Sequence, residues 1–114
     1  MFYISLFSNS EILHIERYGI GENEPEGAVK LARFTLNGFE HMAEDSSLNH
    51  KFTFTPAISL SVDCQTLEEL ETLYKKLSKN GQELVPIEDY SLNKKFCWLN
   101  DKYGISWQLN FEKE

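Results

Sequence analysis

Basic residues are scarce in this chain. Eleven Lys and Arg stand against eighteen Asp and Glu, a formal charge of −7 over 114 residues. That balance opposes the counterion release that drives non-specific binding to phosphate backbones, so nucleic acid is not an expected partner. The densest basic cluster, Lys75, Lys76 and Lys79, falls at the end of an expected helix, where cations complement the macrodipole. Cysteine is limited to Cys64 and Cys97, outside any C-x-x-C arrangement, and reads as two free thiols rather than a disulfide framework or redox pair. The three histidines, His14, His41 and His50, fall on a strand, a hairpin and a linker, with no spacing that suits zinc. No G-x-S-x-G elbow presents a serine nucleophile, and no G-x-G-x-x-G fingerprint opens a helix. No apolar run approaches the roughly 18 residues of a membrane span, and no signal-peptide pattern opens the chain, so no membrane partner and a cytoplasmic location are expected.

What is present is apolar and aromatic enough to pack: 41% hydrophobic residues, with eight Phe, five Tyr and two Trp. The length suits one domain. The clearest element is a helix after Thr66. Thr66 and Glu69 form an S/T-x-x-E capping box, Leu67, Leu70, Leu73, Tyr74 and Leu77 recur at helical spacing, and Asn80-Gly81 supplies a left-handed stop. Before it, Ala57 to Asp63 alternates with period two, with Ile58, Leu60 and Val62 on the face expected to take the helix and Ala57, Ser59 and Ser61 on the other. After it come a short strand at Glu83–Ile87, demoted to an edge or bulge by Pro86, a polar loop at Tyr90–Lys95, and strands at Phe96–Leu99 and Ile105–Phe111 about a turn. In the last strand Ile105, Trp107, Leu109 and Phe111 share one face, and Ser106, Gln108 and Asn110 share the other.

The N-terminal half repeats this order with its first strand missing. Met1–Phe7 reads as the end of an apolar helix, Glu11–Tyr18 as a strand, and Gly19–Gly27 as an acidic loop. Val29–Leu36 and Phe39–Glu44 then flank Asn37-Gly38, the preferred type I′ hairpin turn. The expected fold is therefore α+β: an incomplete first module at 1–45, a polar linker at 46–51, and a complete βαβββ module at 52–114.

Four stretches carry a family resemblance: Phe2-Tyr3-Ile4-Ser5-Leu6-Phe7-Ser8-Asn9-Ser10, Phe34-Thr35-Leu36-Asn37-Gly38, Phe52-Thr53-Phe54-Thr55-Pro56-Ala57-Ile58-Ser59, and the run from Cys97 to Gln108 with its W-L-x-D-x-Y-G-x-S-W-Q pattern. Together they resemble the PhnB-like, demethylubiquinone methyltransferase-like branch of the vicinal oxygen chelate superfamily, which includes glyoxalase I, extradiol dioxygenases and bleomycin resistance proteins. The resemblance implies two βαβββ modules curled into a half-barrel cup of mixed sheet with helices outside, usually assembled as a homodimer. It departs from the family at the start, where the strand and first helical turns ahead of Phe2-Tyr3 are absent.

Metal enzymes of that superfamily set His, Glu or Gln ligands on the first and last strands of each module, where a divalent cation can chelate two substrate oxygens. By the resemblance, Ala57 stands where the second module would carry His, Gln108 is the counterpart of a glutamate, and Met42 is its counterpart in the first module. Alanine cannot ligate, a thioether suits soft metals, and Gln108 is a weak neutral donor. Glu40 and Glu44, with Gln108, are the remaining weak metal candidates, and an enzyme reading would add His41. The expectation is a cup lined by Ala57, Ser59, Ser61, Gln108, Asn110 and Met42 that binds a small molecule with no cofactor and no catalytic metal. A divalent-metal lyase, isomerase or dioxygenase is the alternative, and a structural remnant serving only dimerisation the second.

Overall fold

The computed structural model describes residues 2–22, 24–46, 50–91 and 94–112. It divides into two compact units, Met1–His50 and Lys51–Glu114. The first holds α1 (Phe2–Leu6), β1 (Ile12–Arg17), β2 (Val29–Leu36) and β3 (Phe39–Ala43). Its sheet has the order β1-β2-β3, with both pairings antiparallel. Asn37 and Gly38 take φ of 51° and 86° at the β2–β3 turn, the left-handed pair that a type I′ hairpin requires. No described residue of this unit is fully buried, because a five-residue helix covers only part of one face of a three-stranded sheet.

The second unit holds β4 (Leu60–Cys64), α2 (Leu67–Ser78), β5 (Gln82–Ser91), β6 (Lys94–Asn100) and β7 (Ser106–Glu112). Its sheet has the order β4-β7-β6-β5, and β4 runs parallel to β7, the long connection a parallel pair needs being supplied by α2, β5 and β6. Thr66 caps α2 by accepting from the Glu69 amide at 3.0 Å, and Glu69 reaches back to the Gln65 amide at 3.3 Å. Leu70, Leu73 and Leu77 line its buried side and meet Leu99, Trp107 and Leu109 in the core. Among the described residues of the first unit, α1 is the first element.

Two sequence expectations need correction. The strand before α2 starts at Leu60, not Ala57. Pro56 and Ala57 form a turn in which the Ala57 amide donates to Thr55 Oγ1 at 3.3 Å, and Ile58 is exposed instead of facing the helix. Tyr90–Lys95 is not a polar loop. β5 runs on to Ser91 and β6 starts at Lys94, a polar ribbon whose Lys95 pairs with Asp89 at 3.3 Å; Leu92 and Asn93 lie outside the described residues. Polar alternation on an edge hairpin carries no hydrophobic signal and so reads as loop. The sheet of the first unit is antiparallel throughout and that of the second is mixed, in keeping with the expected α+β fold. Pro86 does fall where its missing N–H costs least, on edge strand β5 between shifts in register.

Cys64 and Cys97 are buried and free. Burial pushes the Cys64 thiol up to about 12, with smaller contributions from Glu69, Cys97 and Asp63, and it pushes Cys97 up to about 11. Because the folded state holds these protons more tightly than the unfolded chain does, their contribution to stability is complete below the ordinary thiol range. It drains away as pH rises from about 9 towards 11 and 12. Both thiols are expected to resist a disulfide exchange reagent at pH 8 until denaturant is added; rapid reaction of either in the native protein would contradict their placement.

Candidate functional site

The run from Trp98 to Gln108 builds the most tightly bonded corner of the molecule. Asp101, 3% exposed, turns its carboxylate inward. Oδ1 accepts from the amides of Tyr103 at 2.8 Å and Ile105 at 3.1 Å, and Oδ2 accepts from Trp107 Nε1 at 2.9 Å. The Gly104 amide donates to the Asp101 carbonyl, closing the β6–β7 turn. The reach of one aspartate to two amides further along is an Asx turn, and here the same group also anchors a core indole. Sequence reasoning placed a turn here but missed the buried carboxylate, for which Asp at the head of a D-K-Y-G turn was the available signal.

With the turn fixed, the phase of β6 and β7 follows. Leu99 pairs with Trp107 and Cys97 with Leu109 on the face under α2, while Trp98 pairs with Gln108 and Phe96 with Asn110 on the opposite face. On β4, Ser61 stands opposite Gln108 and Asp63 opposite Asn110. This second face forms an open concavity of about 1130 Å³, lined among others by Asp63, Phe96, Trp98, Gln108 and Asn110.

Hydrogen bonds brace most of its polar groups. Trp98 Nε1 donates to Ser106 Oγ at 2.8 Å, and that hydroxyl, 2% exposed, shares a hydrogen bond with Ser59 Oγ at 2.6 Å. Asn110 Nδ2 donates to Ser61 Oγ at 2.9 Å and to the Val62 carbonyl at 3.4 Å, tying β4 to β7 through side chains as well as backbone. Gln108 is different: half-buried in the middle of the face, its amide has no hydrogen-bond partner among the described residues. Further along β6, Asn100 Oδ1 is buried and likewise lacks a partner among them. At the rim, Lys94 pairs with Glu112 at 3.7 Å.

Of the residues expected to line a cup, Gln108 and Asn110 line this concavity, while Ser59 and Ser61 hydrogen-bond to Ser106 and Asn110 on the same side of the sheet. Ala57 is off the strand, in the preceding turn. Met42 belongs to the first unit, 65% exposed on β3. Glu40 shares its strand face and pairs with Arg33 at 3.0 Å, while Glu44 lies just past the end of β3. His41 stacks on Phe34 at 5.6 Å, on the face of β3 opposite to Glu40 and Met42. The donors named for a metal are thus divided between opposite strand faces and between the two units. Among the described residues no three His, Cys, Asp or Glu side chains converge as a cation would need. Among the described residues neither unit by itself gathers the donors of a divalent centre.

The fold is shared with known structures. A glyoxylase/bleomycin resistance protein/dioxygenase domain from Frankia sp. EAN1pec is similar at a TM-score of 0.64 and 13% identity, over 98% of this chain and 80% of that one. Protein PA1353 from Pseudomonas aeruginosa is similar at 0.81 and 20%, over 99% and 86%. At these identities the likeness shows the fold alone. A putative 3-demethylubiquinone-9 3-methyltransferase, PhnB protein, from Bacillus cereus is 55% identical with a TM-score of 0.91, over 96% of this chain and 85% of its own. No curated protein matches the chain. The family model described as 3-demethylubiquinone-9 3-methyltransferase matches residues 1–110. The chain belongs to that family, whose PhnB-like members share the glyoxalase/bleomycin resistance fold.

Proposed function

We propose that this protein binds or sequesters a small molecule on the face of β6 and β7, without a catalytic metal or resident cofactor. In this reading it acts as a cytoplasmic homodimer on the vicinal oxygen chelate fold, with the concavity of the second unit as its site. The observation that carries the reading is the pair Trp98–Gln108. Side by side across β6 and β7, they offer a braced aromatic surface next to an amide with no hydrogen-bond partner among the described residues. A half-buried amide on an open face is available to a ligand, and an aromatic wall beside a few convergent polar groups is the usual form of a small-molecule site. Ser59, Ser61 and Asn110 hold that face in place. Met42, Glu40 and Glu44, in the first unit, have no assigned part.

The family's name speaks of methyl transfer, and the reading does not extend it to this chain. The one G-x-G run, Gly19-Ile20-Gly21, lies in the loop between antiparallel strands β1 and β2. A dinucleotide-type fingerprint needs a parallel strand leading into a helix N-terminus at that point.

The test is a screen of aromatic and amphipathic compounds followed at the Trp98 indole and Gln108 side-chain NMR signals. Saturable shifts of both are expected. Replacing Gln108 with Ala should weaken binding about tenfold, the worth of one well-made hydrogen bond in a partly desolvated site. A screen that leaves both signals unmoved would contradict the reading.

A further inference from the structure

We propose that the ligand of this concavity is a flat aromatic compound that donates hydrogen bonds, an amino- or amidino-substituted ring, rather than a carboxylate or phosphate. The proposal rests on the reading of this face as the binding site and follows from which polar atoms the protein leaves unspent.

The donors are mostly committed. Trp98 gives its only N–H to Ser106, so the indole offers a ring and nothing more. Asn110 directs Nδ2 at the Val62 carbonyl, which can only accept, so the amide cannot be turned over without losing that bond. Its free atom is therefore the acceptor Oδ1. Lys94 faces Glu112 at 3.7 Å and Lys95 faces Asp89 at 3.3 Å, so each rim cation already has a carboxylate.

The acceptors are not committed. Asp63, exposed on the lining opposite Asn110, has no ion pair or hydrogen bond to its carboxylate among the described residues. Asn110 Oδ1 stands beside it in register. Gln108 can either donate or accept. An anion entering here would find lysines already paired and a surplus of oxygen lone pairs, inside a chain of net charge −7. A ring carrying N–H groups would satisfy those oxygens while stacking on Trp98 and Phe96. Any positive charge on it would gain from both the Asp63 carboxylate and the aromatic faces.

Two probes built on the same ring decide the matter: 2-aminoquinoline and quinoline-2-carboxylate, titrated into the isotope-labelled full chain and read at the Trp98 indole and Gln108 amide. The amine is expected to bind about tenfold more tightly than the acid. Asp63→Asn, at an exposed position where the fold should be unaffected, is expected to remove most of that preference. Tighter binding of the acid, or an unchanged ratio in Asp63→Asn, would overturn the ligand class while leaving the face as the site. Failure of both probes to move either signal would overturn the site as well.

Discussion

Replacing Asp101 with Ala should destabilise the second unit by about 4 kcal/mol, a large fraction of what a domain of this size possesses. The carboxylate accepts from the Tyr103 and Ile105 amides and from the Trp107 indole in a place that water barely reaches. Truncation strands all three donors, and each buried unpaired donor costs about 1–3 kcal/mol. Asn at the same position keeps one acceptor oxygen but sets an N–H₂ group against one of the other donors, so about half of the loss should remain. Urea unfolding followed by tryptophan fluorescence measures both variants. A midpoint for Asp101→Ala close to the parent's would show that the turn does not depend on this carboxylate.

Gly81→Ala should cost about 3 kcal/mol, at the upper end for forcing an extra methyl into a packed site. Gly81 has an ordinary φ, so conformational freedom is not the reason for glycine here. A Cβ would run into the Asn100 carbonyl oxygen and stand 3.0 Å from the Asp101 carbonyl carbon, both backbone atoms that cannot rotate away. The left-handed stop of α2 is made by the neighbouring Asn80, at φ 61°. Asn80→Gly is therefore expected to be nearly neutral, within about 0.5 kcal/mol. The reverse ranking of the two variants in the same unfolding experiment would contradict this division of labour.

These two residues also show where the sequence was legible and where it was not. Helix α2 announced itself because cap, apolar periodicity and stop agreed, and the alternation of β7 correctly placed Trp107 under the helix and Gln108 on the other face. Local chemistry sufficed for both. The Asn80-Gly81 stop was read as one device, yet the glycine answers to the backbone of Asn100 and Asp101, about twenty residues along the chain, and no local pattern reports such an approach. Pro56 moved the start of β4 past Ala57 for a similar reason: alternation continued through residues whose backbone had already turned. Within the candidate site, Gln108 and Asn110 followed from strand phase alone. What makes Gln108 distinctive is that Asn110, Ser106 and Trp98 have their hydrogen bonds spent elsewhere, and this emerges only once β4, β6 and β7 lie side by side.

The central claim is that the face carrying Trp98 and Gln108 holds a ligand by stacking and hydrogen bonding and needs no cation. Its most direct test is a titration of the full chain with 2-aminoquinoline, followed at those two side chains, in excess chelator and again with added manganese, nickel or zinc. Saturable binding with the same affinity under both conditions is the predicted result. Binding that vanishes in chelator and returns with one of the metals would contradict it.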